Sequence, residues 1–91
     1  MNDNSIYILR DYGKINIKLK EILDKKGISR NKLCNMIATN YDLINRYYNN
    51  KVTRVDLDIL SRMAFVLECD ITDLLEYKRT SKWLKFFYFL K

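Results

Sequence analysis

Residues 29–48, SRNKLCNMIATNYDLINRYY, constrain the fold more than any other stretch. Leu33, Cys34 and Ile37 stand at i, i+1 and i+4, and Leu43, Ile44 and Tyr47 repeat that spacing. Each set lines one face of a short helix, expected over 30–37 and 41–48. Helices this short are unstable in water, so each must dock on other apolar surface. The residues left on the outside include Arg30, Asn31, Asn40, Tyr41, Asp42, Asn45, Arg46 and Asn49. Almost all carry hydrogen-bonding groups of the kind that contact phosphates and base edges.

Two short helices, a tight turn and a polar outer face together predict a helix-turn-helix. The charge distribution points the same way. Of the net +6, residues 28–55 hold five Lys/Arg against one Asp, and residues 78–91 hold five against none. Residues 56–77 run the other way, with one Arg against six acids. A cationic face is what a polyanion-binding surface needs, although a merely solvated basic surface has the same composition.

Ninety-one residues suit one small domain, and 48% hydrophobic content supplies a modest core. No apolar run is long enough for a transmembrane helix, and the polar, acidic start MNDNS is unlike a signal peptide, so a cytoplasmic protein is expected. Cys34 and Cys69 each sit inside an apolar pattern and read as free buried thiols. Histidine is absent and the two glycines cannot build a phosphate-cradling loop. No enzyme, metal site or cofactor is therefore expected, and a single small domain leaves little room for a small-molecule pocket.

Around the central pair, the pattern predicts three more helices. Residues 16–26 present Leu19, Ile22 and Leu23 on one face and end at Gly27. Ser29 and Asn40 are candidate N-caps for the helices that follow them. Asp56 can cap a helix over 57–67 with Leu57, Leu60, Met63, Ala64 and Leu67 inward, and Asp70 or Thr72 opens a last helix carrying Ile71, Leu74 and Leu75. The β-prone SIYIL at 5–9 reads as a strand or an arm. The end, KRTSKWLKFFYFLK, reads as a hydrophobic helix with Lys78, Lys82 and Lys85 on one stripe.

From Leu19 to Tyr77, GISRNKLCNMIA, LINRYYNNK and LDILSRMAFVLECDITDLLEY together resemble the DNA-binding domain of phage-repressor-like regulators, the Cro/CI or XRE type. NNKVTRVDLDIL is especially similar to a compact bacterial subfamily of these regulators. The resemblance implies an all-α, lambda-repressor-like five-helix DNA-binding domain, here with an extra C-terminal hydrophobic helix. The organisation would be an arm over 1–14, the domain over 15–77 and a tail over 78–91. Two departures stand out. The family usually has Gly in the inter-helix turn, where Ala38 stands. Many members pair an Arg in the first helix with a Glu ending the third; Leu23 and Tyr48 stand there, and an apolar contact is expected to replace the ion pair.

Helix-turn-helix geometry makes Tyr41, Asp42, Asn45 and Arg46 the candidate base contacts. Arg46 could grip guanine, Asn45 could pair with adenine, Tyr41 could meet a thymine methyl or a phosphate, and Asp42 could accept from cytosine or hold Arg46. Ser29, Arg30, Asn40, Lys51, Thr53 and Arg54 are the candidate phosphate contacts. The expected partner is double-stranded DNA, bound by a transcriptional regulator. The alternative is a protein-interaction module on the same fold, antitoxin-like or adaptor. The apolar tail could dock on its own domain, lie on a membrane, or pair two copies. A homodimer centred on Trp83, Phe87 and Leu90 is the expectation, and membrane attachment is not.

Overall fold

The computed structural model describes residues 12–79. Its elements run β1 (Lys14–Ile17), α1 (Leu19–Lys26), α2 (Arg30–Met36), α3 (Tyr41–Tyr48), α4 (Leu57–Leu67), α5 (Ile71–Leu74) and β2 (Leu75–Lys78). The architecture is an all-α bundle with one small two-stranded sheet, β1 beside β2. The segment 5–9 and the expected C-terminal helix lie outside the described residues.

The helix ends follow from local chemistry. Gly27 takes the left-handed conformation after α1, at φ 67°. Ser29 accepts the Lys32 N–H at 3.0 Å and Asn40 accepts the Leu43 N–H at 2.8 Å, so both are N-caps as expected. Asp56 caps α4 by accepting from Asp58 and Ile59. Asp70, rather than Thr72, opens α5, in a reciprocal capping box with Asp73.

The strand pair corrects the expected helix boundaries. Asn16, Ile17 and Lys18 were expected in the first helix, but Asn16 and Ile17 belong to β1 and Lys18 precedes α1. Leu75 leaves the last helix and opens β2, and Lys78 lies in that strand rather than on a helical stripe. The physical reason is pairing between segments some sixty residues apart, which helical periodicity does not register. In the strand end, Gly13 adopts φ 93°, and a Cβ there would stand 2.5 Å from the Lys78 carbonyl oxygen.

Residues Asn16–Glu76 form one unit with a single core. Leu19 and Leu23 of α1, Leu33 and Cys34 of α2, Ile44 and Tyr47 of α3, and Ile59, Leu60, Met63 and Leu67 of α4 are all buried in it, with Ile17, Ile37 and Leu74. Tyr48 packs against that core, in line with an apolar contact in place of the ion pair. Leu57, expected inside, is 75% exposed; Ile59 takes the inward place at the start of α4. Among the described residues no helix is long and apolar enough to cross a membrane.

Both cysteines are free thiols, Cys34 buried and Cys69 half-buried. The Cys34 Sγ–H donates to the Thr39 carbonyl at 2.7 Å, across the turn after α2. Burial pushes the Cys69 thiol up, and nearby Asp73 adds to the shift, so it remains protonated at neutral pH.

Two left-handed residues carry different costs. Asn50, at φ 57°, closes the chain after α3 and clasps β1: its Oδ1 accepts the Ile17 N–H at 2.6 Å and its Nδ2 donates to the Ile17 carbonyl at 2.9 Å. Ala38, at φ 55°, has no polar side chain to offset the strain. Ala38→Gly should therefore stabilise the protein by about 1 kcal/mol, less what glycine costs in unfolded-chain entropy, seen as a higher melting temperature. Asn50→Gly keeps an easy left-handed turn but removes both bonds to Ile17. It should lower stability by about 1–3 kcal/mol in a denaturant titration.

Candidate nucleic-acid interface

The turn between α2 and α3 is held from three sides. Thr39 N–H donates to the Cys34 carbonyl at 3.1 Å, Ile37 is buried, and the Arg62 guanidinium of α4 donates to the Ile37 carbonyl at 3.0 Å. Arg62 is also paired with Asp58 at 2.7 Å, one turn back on α4. It thus satisfies a carbonyl at the C-terminal end of α2 and fixes the angle at which α3 leaves the turn.

Anchored by Ile44 and Tyr47, α3 turns its other side outward. Tyr41, Asp42 and Arg46 are exposed and Asn45 is half-buried. Arg46 Nε lies 3.4 Å from Asp42 Oδ2, one turn back on the same helix. The pair is exposed and contributes little to stability; its effect is on where the guanidinium points.

Arg30, the first residue of α2, is not a free cation at the edge. Its Nη1 donates to Asn45 Oδ1 at 2.6 Å. Its guanidinium lies 4.3 Å from the Tyr48 ring centre and 5.8 Å from that of Tyr41. Tyr41, Asn45 and Tyr48 form one i, i+4, i+7 stripe of α3, and Arg30 lies along it. Lys20 of α1 reaches the same Tyr48 ring at 6.0 Å, and its hydrogen bond to Asp24 raises its pKa, keeping it a cation. Lys20 and Tyr48 were missed as members of this surface. The stripe spacing was legible, but which cations would lie on it was not.

Past α3, Lys51, Thr53 and Arg54 are all exposed in the loop to α4. The loop is pinned at both ends. Lys51 N–H donates to the Arg46 carbonyl at 2.9 Å, and the buried Tyr47 places its hydroxyl where it accepts the Asp56 N–H at 3.0 Å. Ser29 and Asn40 are exposed caps whose side-chain oxygens accept from their own helices, which leaves the Ser29 hydroxyl proton and the Asn40 amide nitrogen as donors. The expected dimer residues Trp83, Phe87 and Leu90 lie outside the described residues.

Comparison with known proteins agrees with this geometry. Among solved structures, the chain is similar to a Bacteroides fragilis protein described as DNA-binding, with TM-score 0.63 and 24% identity over 69% of this chain and all of the other. It is also similar to the transcriptional regulator VanUg, with TM-score 0.62 and 18% identity over 76% of this chain and 91% of that one. At such identities the likeness is one of fold. No curated protein matches. The family model of the Cro/C1-type helix-turn-helix DNA-binding domain matches residues 18–79, which takes in every element from α1 to β2 and the whole polar face of α3. With two-thirds of its length matched, the chain belongs to the Cro/C1-type helix-turn-helix DNA-binding domain family.

Proposed function

We propose that the protein is a sequence-specific, repressor-like transcriptional regulator of the compact bacterial type, not an enzyme, that works in the cytoplasm on double-stranded DNA. The observation that carries this reading is the outer face of α3. It is polar and exposed, braced by Arg30 on one side and by Asp42 beneath Arg46, in a chain of a DNA-binding family. In this reading α3 enters the major groove, with Tyr41, Asp42, Asn45 and Arg46 toward the bases. Because Asp42 lies against Arg46 Nε, the two terminal nitrogens of Arg46 are left for guanine O6 and N7. Lys51, Thr53 and Arg54 meet phosphates from the loop, with Ser29, Arg30 and Asn40 at the starts of α2 and α3. Arg30 keeps several N–H donors beyond the one given to Asn45.

Arg46→Ala should weaken specific binding by about 1–3 kcal/mol and relax preference at one base pair per half-site. Competition between matched and mismatched duplexes reads this directly, and an unaltered sequence preference would remove Arg46 from the base readers. Lys51→Ala and Arg54→Ala should weaken all duplexes alike and lower the slope of log K against log salt by about one each. A slope equal to the wild type's would mean that neither touches a phosphate.

The reading includes a homodimer, because two half-sites one helical turn apart need two copies of α3. The apolar tail is its candidate seam, with Trp83, Phe87 and Leu90 at the centre. The full chain is then expected to sediment as a dimer at equilibrium, and Trp83→Asp with Phe87→Asp to give a folded monomer. A wild-type monomer at high micromolar concentration would exclude this seam.

A further inference from the structure

The most constrained polar side chain on the α3 face is Asn45. Its Oδ1 receives Arg30 Nη1 at 2.6 Å and Asn49 Nδ2 at 3.3 Å. A guanidinium carries donors and no acceptor, so the amide atom against Arg30 must be the oxygen. Asn49 is oriented independently, because its Nδ2 also donates to the Asn45 backbone carbonyl at 3.0 Å. A carbonyl oxygen has two lone-pair directions, and here two donors use them. Among the described residues, the Asn45 amide nitrogen has no such partner.

Orientation decides what Asn45 can read. The paired contact between an asparagine and adenine needs both ends of the amide, the oxygen accepting from N6 and the nitrogen donating to N7. With its oxygen held by Arg30 and Asn49, Asn45 offers donors alone. Guanine presents two acceptors in the major groove, O6 and N7; thymine presents one, O4. Adenine sets a donor beside its acceptor, and cytosine presents a donor.

The geometry points to Arg30 as a specificity-determining residue that touches no base: by clamping the Asn45 carbonyl it turns Asn45 into a donor-only reader that selects guanine, then thymine, over adenine. This rests on the reading of α3 as the DNA-reading helix, and it replaces the adenine pairing expected from the sequence. The clamp is held in place by aromatic faces. The Tyr48 ring under the guanidinium, with the Tyr41 ring centre also near at 5.8 Å, limits where the Arg30 fork can lie.

The test is selection of bound duplexes from a random library by wild type, Asn45→Ala and Arg30→Met, the methionine being chosen to keep apolar cover on the Tyr48 ring. Circular dichroism establishes that each variant is folded. Asn45→Ala identifies the position concerned as the one whose preference flattens. There the wild type should favour guanine over adenine by about tenfold, and Arg30→Met should raise the adenine share several-fold. Adenine or cytosine preferred by the wild type, no position flattened by Asn45→Ala, or an unchanged adenine share in Arg30→Met would each overturn the proposal. A second measurement needs no DNA. The side-chain carbonyl carbon of Asn45 should shift in the NMR spectrum of Arg30→Met as its oxygen loses that donor, and an identical shift in both proteins would overturn the clamp. If wild type enriches no motif, the DNA reading and the base preference both fall, yet the carbonyl shift still reports whether the clamp exists. The two failures are thereby distinguished.

Discussion

Everything on the α3 surface depends on the burial of Ile44 and Tyr47. An eight-residue helix with a polar outer side has no stability of its own. Its register and rotation are set by what its inner side meets, and here that is a core shared with α1, α2 and α4. Ile44 is fully buried, so a rotation of α3 about its axis would bring it toward water at a cost of about 1.5–3 kcal/mol. That penalty keeps Tyr41, Asn45 and Arg46 on the outside. Tyr47 adds a polar tie, because its ring is in the core while its hydroxyl accepts from the backbone at Asp56.

Around that helix, several ties between segments are made by side chains bonded to backbone. Asn50 binds both polar groups of Ile17, Arg62 takes the Ile37 carbonyl, and Cys34 takes the Thr39 carbonyl. Each closes a backbone group at the end of an element, where intrahelical or ladder partners run out. The ends of α2 and α3 are therefore fixed without long loops, and the basic residues of the 49–56 segment project from a backbone pinned on both sides.

The candidate interface is built by cations placed against specific partners more than by the amount of charge. Arg30 is laid on Tyr48 and bonded to Asn45, Arg46 is paired with Asp42, and Lys20 with Asp24. Exposed pairs of this kind add little to stability but restrict the directions in which the remaining donors point. Of the acidic residues, Asp56, Asp58, Asp70 and Asp73 stand at the caps and first turns of α4 and α5, where helix dipoles favour them.

The helices and their caps were legible in the amino-acid order because they depend on neighbours three or four residues away. Ser29, Asn40 and Asp56 cap as their positions indicate, and Gly27 ends α1 in a left-handed conformation that glycine adopts without strain. The outward position of Tyr41, Asp42 and Arg46 on α3 was legible for the same reason, since burial of Ile44 and Tyr47 leaves the complementary side outward. The strand pair was not, because β1 and β2 are separated by all of residues 18–74 and each is only four residues long. Nor was the inward turn of Ile59 in place of Leu57, which depends on the angle at which α4 meets the core. The clamp on Asn45 was least visible of all. Arg30 and Asn45 are fifteen residues apart, and only the packing of α2 against α3 brings a donor-only guanidinium to the amide oxygen. Local periodicity determines which residues share a face, whereas tertiary packing decides which polar atoms on that face are already taken, because hydrogen bonds between elements need positions that no short-range pattern encodes.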